Sequence, residues 1–354
     1  MNSEYQARIK TAWQGRISGC QLGKPVEMLS MRKGFNKLDQ YLDAANSKPL
    51  RDYIPYIPNN QLVNQSWCKN EFSRSEPDDD INYSFLALLM LEQFGVKLRT
   101  EDVARTWLKL LPVGSTYTAE RAAYKVMLEQ GDEWFPEGQP PGFDLGLCAN
   151  NPFNDWIGAQ IRADVYGWVC PGNPELAAKL ATADAELSHR GDGVYGAVLV
   201  AALGAALQTE APNVAIKTAL RFIPANTGAE RAIKLGLEQA GDPKGYRKIH
   251  SSYEGWSPVH TLNNLALVIW ALFSNLDDYS AAIGDVVSAG WDTDCNGATV
   301  GALWGLQGKP IPEHWIQPWQ GQVGLSLAGY SSIGLEELVD RTVAVALELK
   351  LAQR

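Results

Sequence analysis

The apolar residues of this chain come in unbroken runs, such as AVLVAALGAAL (197–207) and LALVIWALF (265–273). Such runs lack the alternation of a half-buried strand and fall well short of a membrane span, so they read as buried helices. Helix signals recur at Tyr83–Phe94, Thr100–Leu111, 173–187, 193–208, 213–222, 228–240, 261–274, 278–289, 297–306 and 335–351. In NPELAAKLATADAEL (173–187) Asn is the expected N-cap and Pro takes the first helical position. Only 51–63 carries a strand signal. The pattern predicts an all-α fold, one many-helix domain over 1–354, with irregular stretches at about 29–77 and 134–157. Loops that long inside a compact domain are usually functional or lie over an active site.

The 354 residues carry a net charge of −9 and no basic block, which argues against a nucleic-acid partner, whose phosphates need neutralising. The opening MNSEYQARIKTAWQGRISG has charges where a signal peptide needs an apolar core. Five cysteines are scattered without a CxxC pair, and four histidines are equally dispersed. These features predict a reduced, cytoplasmic protein without membrane attachment, in which any metal is held by oxygens. Cys20, Cys68, Cys148 and Cys170 read as small buried hydrophobes.

Two acidic clusters stand at helix entries. SRSEPDDDINYSFLALLMLE (73–92) sets Asp78, Asp79 and Asp80 directly before an apolar run. Helix capping alone could explain them, because the first turn favours negative charge. GWDTDCNGATVGAL (290–303) places Asp292 and Asp294 one residue apart. It begins like a calcium loop, but its twelfth position is Leu303 instead of the bidentate Glu, which rejects that reading. Two such loops, about two hundred residues apart, read better as halves of one hard-cation site. Five carboxylates gathered together call for cations, and Mg²⁺ or Mn²⁺ takes such oxygens. Two metal ions would balance most of the charge and could grip vicinal hydroxyls or polarise a water. Gly297, Gly301 and Gly305 fall four apart, a small-residue face that predicts tight helix packing.

These residues resemble the ADP-ribosylglycohydrolase family. The resemblance rests on the DDD-before-helix, on DTDCNGATVGA, and on GRISGCQLGKPVE (15–27), which is similar to the family's G-D-A-L-G-x-P-x-E with Cys20 in place of Asp. It extends to IGAQIRADVYGWVCPGNP (157–174) and ELSHRGDGVYGAVLVAA (186–202), in family order along the chain. The resemblance implies an all-α fold whose cleft holds two divalent ions, Mg²⁺ or Mn²⁺. Carried over, one ligand set falls on Asp78, Asp79 and Asp80, with Asp78 where Thr is usual. The other falls on Asp292, Asp294 and Cys295, with Cys295 where Thr or Ser is usual.

Glu27 matches the family's substrate-positioning or proton-transferring glutamate. Gly158 and Ala159 match positions near the distal ribose or phosphates, and His189, Gly193 and Tyr195 match the ADP-ribose groove. The implied activity is metal-dependent hydrolysis of the C1″ bond of an ADP-ribosyl group, on a protein side chain or a small ribosyl compound. Asp294 would activate the water and Glu27 would act as its acid or base partner. The alternative is an altered member that binds ADP-ribose or a partner protein without hydrolysis.

Overall fold

The continuous apolar runs become the centre of the molecule. The computed structural model describes residues 3–131, 135 and 138–352, and among them lie seventeen α-helices and one two-stranded sheet. Helices Asp192–Leu207, Thr261–Ser274 and Thr293–Gly305 are buried on nearly every face, as their all-round apolar composition requires. A helix with one polar stripe, such as Gly228–Gln239, keeps that stripe outward. The buried apolar side chains form one contiguous cluster, and the all-α expectation holds.

The longest helix, Ser3–Gly23, was not legible as one. It lies along Thr293–Gly305 with the two backbones in direct contact. A Cβ added at Gly15 would stand 2.1 Å from the Gly301 carbonyl oxygen, and one at Gly19 would stand 2.0 Å from that of Gly297. At Gly305 the added carbon would meet the Thr11 carbonyl oxygen at 2.3 Å. The small-residue face is therefore a packing device, as expected, and glycine is required because backbone meets backbone. This contact carries the end of the first helix, with Lys24 and Glu27 just beyond it, to the start of the last buried helix. Gly301→Ala forces the two helices apart, and a loss of about 1–3 kcal/mol is expected. A lower urea midpoint at unchanged slope checks it, and an unmoved midpoint contradicts it.

Three expectations are corrected. Residues 51–63 form no strand, because Pro55 and Pro58 remove ladder donors from that segment. The stretch 29–77 is not wholly irregular, since it includes most of Glu27–Lys33 and all of Phe35–Ala44. Helices expected at Tyr83 and 297 begin earlier, at Asp79 and Thr293, because the polar first turn precedes the apolar pattern. Of the stretch 134–157, residues 134, 136 and 137 lie outside the described residues.

The sheet is a hairpin of Gln322–Leu327 and Tyr330–Gly334, and it braces the first acidic cluster. The Ser75 N–H donates to the Gln322 carbonyl at 2.9 Å, and the Gly324 N–H returns a bond to Ser75 at 2.9 Å. Asn82 Nδ2 donates to Ser326 Oγ at 2.7 Å. No described helix is long and apolar enough to cross a membrane.

Candidate functional site

Both acidic clusters are helix starts, and packing points them at one space. Asp78 caps Asp79–Phe94, its carboxylate accepting the Asp80 N–H at 3.0 Å. The capping reading is thus correct as far as it goes. Asp292 takes the N-cap position of Thr293–Gly305, and Asp294 lies in that helix's first turn. Thr293 Oγ1 donates to the Gly23 carbonyl at 2.9 Å, tying this turn to the end of the first helix. Asn264 Oδ1 accepts the Asp292 N–H at 3.3 Å and Asn296 Nδ2 at 2.7 Å. Glu27 opens the next short helix.

The result is a cavity of about 620 Å³ walled by Lys24, Glu27, Asp78, Asp79, Asp292 and Asp294, with Gly158 and Cys295 also on its surface. That volume suits a bound small molecule.

Five expected site residues lie off this wall. Asp80 is fully buried, with Oδ1 3.3 Å from Arg16 Nη2. Successive helical residues point about 100° apart, so three adjacent carboxylates cannot share one face. Ala159 is buried in the core. His189 is fully buried, shares a 2.8 Å hydrogen bond with Ser188 Oγ, and is held neutral by burial and by Arg162. Gly193 packs so tightly that a Cβ would meet the Asn154 carbonyl oxygen at 2.4 Å. Tyr195 lies half-buried against the core.

The structure adds groups that no sequence signal singled out. Glu120 is buried on the cavity wall beside Gly158 and binds Arg162 Nη1 at 2.7 Å. A Cβ at Gly158 would overlap Glu120 Oε1 at 2.0 Å, so this glycine makes room for the carboxylate. Trp67 and Tyr117 also line the cavity. Lys24 lies inside the quoted GKPVE stretch, yet only the fold brings its Nζ to 2.5 Å from Asp78 Oδ2.

Without a cation the carboxylates are poorly tolerated. Burial, then repulsion from neighbouring aspartates, pushes Glu27, Asp79 and Asp292 well above the carboxylate range. Burial acts most strongly on Asp78, but the Lys24 ammonium and the hydrogen bond from the Asp80 N–H together hold this carboxyl low. The Asp292 and Asp294 side chains are buried, and each has an Oδ1 without a hydrogen-bond partner among the described residues. Orphaned buried oxygens in a set of hard donors fit a divalent cation.

Burial, then Asp78, pushes the Asp294 carboxyl up to about 6. An unfolded aspartate titrates near 4, so this group contributes stability below that pH and loses it as pH rises through about 6. The metal-free protein should lose on the order of 2–3 kcal/mol through Asp294 between about pH 4 and pH 7. Urea unfolding of metal-free wild type and Asp294→Asn across that window checks it. Equal pH slopes in the two proteins would contradict it.

The ADP-ribosylglycohydrolase family model matches residues 1–350. A protein of Archaeoglobus fulgidus described as uncharacterized is 22% identical over 181 residues, which are 47% of this chain and 53% of that protein. The match thus spans about half the length of that relative. A solved structure titled "ADP-ribosylglycohydrolase-related protein complex" is similar over 98% of this chain and 99% of its own, with a TM-score of 0.60 and 19% identity. At that identity the likeness concerns the fold.

Proposed function

The chain belongs to the ADP-ribosylglycohydrolase family, and from that premise we propose that it hydrolyses the C1″ glycosidic bond of ADP-ribosyl groups in a divalent-cation-dependent reaction. The observation that carries this reading is the convergence of Glu27, Asp79, Asp292 and Asp294 on one cavity, with buried aspartate oxygens left unpartnered. A capping role alone would not bring two distant helix starts to the same wall.

Of the six expected ligands, Asp79, Asp292 and Asp294 offer the cavity oxygens that have no ion pair to Lys or Arg among the described residues. A bound divalent cation supplies the positive charge that anchors ribose hydroxyls and offsets the surrounding carboxylates. Mg²⁺ and Mn²⁺ both suit such a donor set. Asp294 orients the attacking water and accepts its proton as the water oxygen bonds to C1″. Glu27 donates a proton to the leaving nitrogen or oxygen as the glycosidic bond breaks. Burial and the adjacent Asp294 and Asp292 favour the protonated form of Glu27, which suits that task. The cavity wall contributed by Gly158, Trp67 and Tyr117 positions the rest of the nucleotide.

The test is release of ADP-ribose from arginine- and serine-ADP-ribosylated peptides with Mg²⁺, with Mn²⁺ or with EDTA. Metal-dependent release from one peptide supports the hydrolase and identifies its linkage. Binding of ADP-ribose without release from either would favour the non-hydrolytic alternative, to which the Asp78 and Cys295 replacements point.

A further inference from the structure

The two groups of potential metal ligands are not equivalent. One comprises Cys20, Asp78 and Asp80, and the other comprises Asp292, Asp294 and Cys295. The first already holds its own cations. Lys24 Nζ lies 2.5 Å from Asp78 Oδ2, and Arg16 Nη2 lies 3.3 Å from Asp80 Oδ1. The second has no ion pair to Lys or Arg among the described residues and keeps a buried, unpartnered oxygen on both of its aspartates, whereas the first has one such oxygen, Asp80 Oδ2.

Lys24 is not a mobile surface lysine. It is 7% exposed, it donates to the Pro77 carbonyl at 2.9 Å, and its ammonium sits 4.7 Å from the centre of the Trp67 ring. An ammonium has only donors, so it cannot join a metal's ligand shell and can only compete with the ion for Asp78. A hard ion would bind Asp78 Oδ2 at about 2.1 Å, which brings it into the ammonium's immediate neighbourhood. The thiol at Cys20 further weakens a second position for a hard cation.

We infer that the cavity takes one divalent cation, on Asp292 and Asp294 with Asp79 on the same cavity wall, and that the Lys24 ammonium occupies the place where a second cation would meet Asp78. This rests on the cation-dependent reading above. The first positive charge in the first ligand group is therefore built into the chain, and the extra acid at Asp78 is its counter-ion instead of an additional ligand.

The test counts ions. Chelator-treated protein is equilibrated with Mn²⁺, bound metal per chain is measured by dialysis and elemental analysis, and electron paramagnetic resonance separates an isolated ion from a coupled pair. Wild type should hold one isolated ion. Lys24→Met with Asp78→Thr, which removes the ammonium and leaves a hydroxyl ligand, should hold two and show coupling. Lys24→Met alone, which frees the Asp78 carboxylate, should give the same gain and serves if the double variant fails to fold. Two ions in the wild type, or one in a variant whose circular dichroism is native, overturns the inference while leaving a cation-dependent site in place. No bound ion in the wild type removes the cation-dependent reading itself, and this inference with it.

Discussion

Asp294→Asn should lower kcat/KM for ADP-ribosyl hydrolysis by at least about 10²–10⁴-fold, the usual contribution of a single proton-transferring group, with loss of a cation ligand added to it. The substitution keeps the shape of the side chain and removes its capacity to accept a proton from water. It also removes a negative charge that is poorly tolerated without metal, since burial and Asp78 push the Asp294 carboxyl up to about 6. The metal-free variant should accordingly be at least as stable as metal-free wild type near neutral pH. The pairing matters, because loss of activity with gain of apo stability marks a residue held in place for function. Steady-state kinetics and thermal unfolding on the same preparation read both. A variant within a few-fold of wild-type activity would show that Asp294 takes no part in the chemistry.

Arg16→Met should be severely damaging to the fold. Arg16 is fully buried and reaches two distant stretches of the chain, 80–84 and 161–164. Its Nε donates to Ser84 Oγ at 2.6 Å, Nη1 to Asp164 Oδ2 at 2.7 Å, and Nη2 to the Asp80 carbonyl at 2.9 Å and to the Ile161 carbonyl. Removing one member of a buried, hydrogen-bonded ion pair leaves the other charge uncompensated and costs about 3–5 kcal/mol. Here two carboxylates, Asp80 and Asp164, lose the same partner. Burial already pushes Asp164 up to about 6 even with Arg16 beside it. Adding Asp164→Asn to the methionine variant should recover part of the loss. Urea denaturation of the single and double variants measures both, and a single variant within about 1 kcal/mol of wild type would contradict the network's importance.

What could be read beforehand followed local physics closely. The helix at Thr261–Ser274 was expected with the same bounds, because its apolar run is continuous. Asn173 caps Pro174–Ala185 through its side chain, which accepts the Leu176 N–H at 3.1 Å. The two acidic clusters belong together for a reason visible in the chain: each precedes a buried helix and neither has an adjacent basic block.

The N-terminal helix carries little sequence signal, because its first turns are charged and its second half is spaced by Gly15, Gly19 and Gly23. Glycines lower helix propensity, and only the facing backbone of Thr293–Gly305 makes them favourable here. The hairpin at 322–334 was hidden by its shortness and its glycines. At the site, the inward turn of Asp80 follows from helix geometry and could have been anticipated. The ion pair between Lys24 and Asp78 could not, since fifty-four residues separate them and only the fold sets their distance.

The hydrolytic reading requires that the two acidic segments make one cation site. The most direct measurement is equilibrium binding of Mn²⁺ to wild type, Asp79→Asn and Asp294→Asn, each checked for native circular dichroism. Loss of binding in both variants is the expected result, because Asp79 comes from one segment and Asp294 from the other. Wild-type affinity retained in either variant would contradict it and would return that segment to the role of a helix cap.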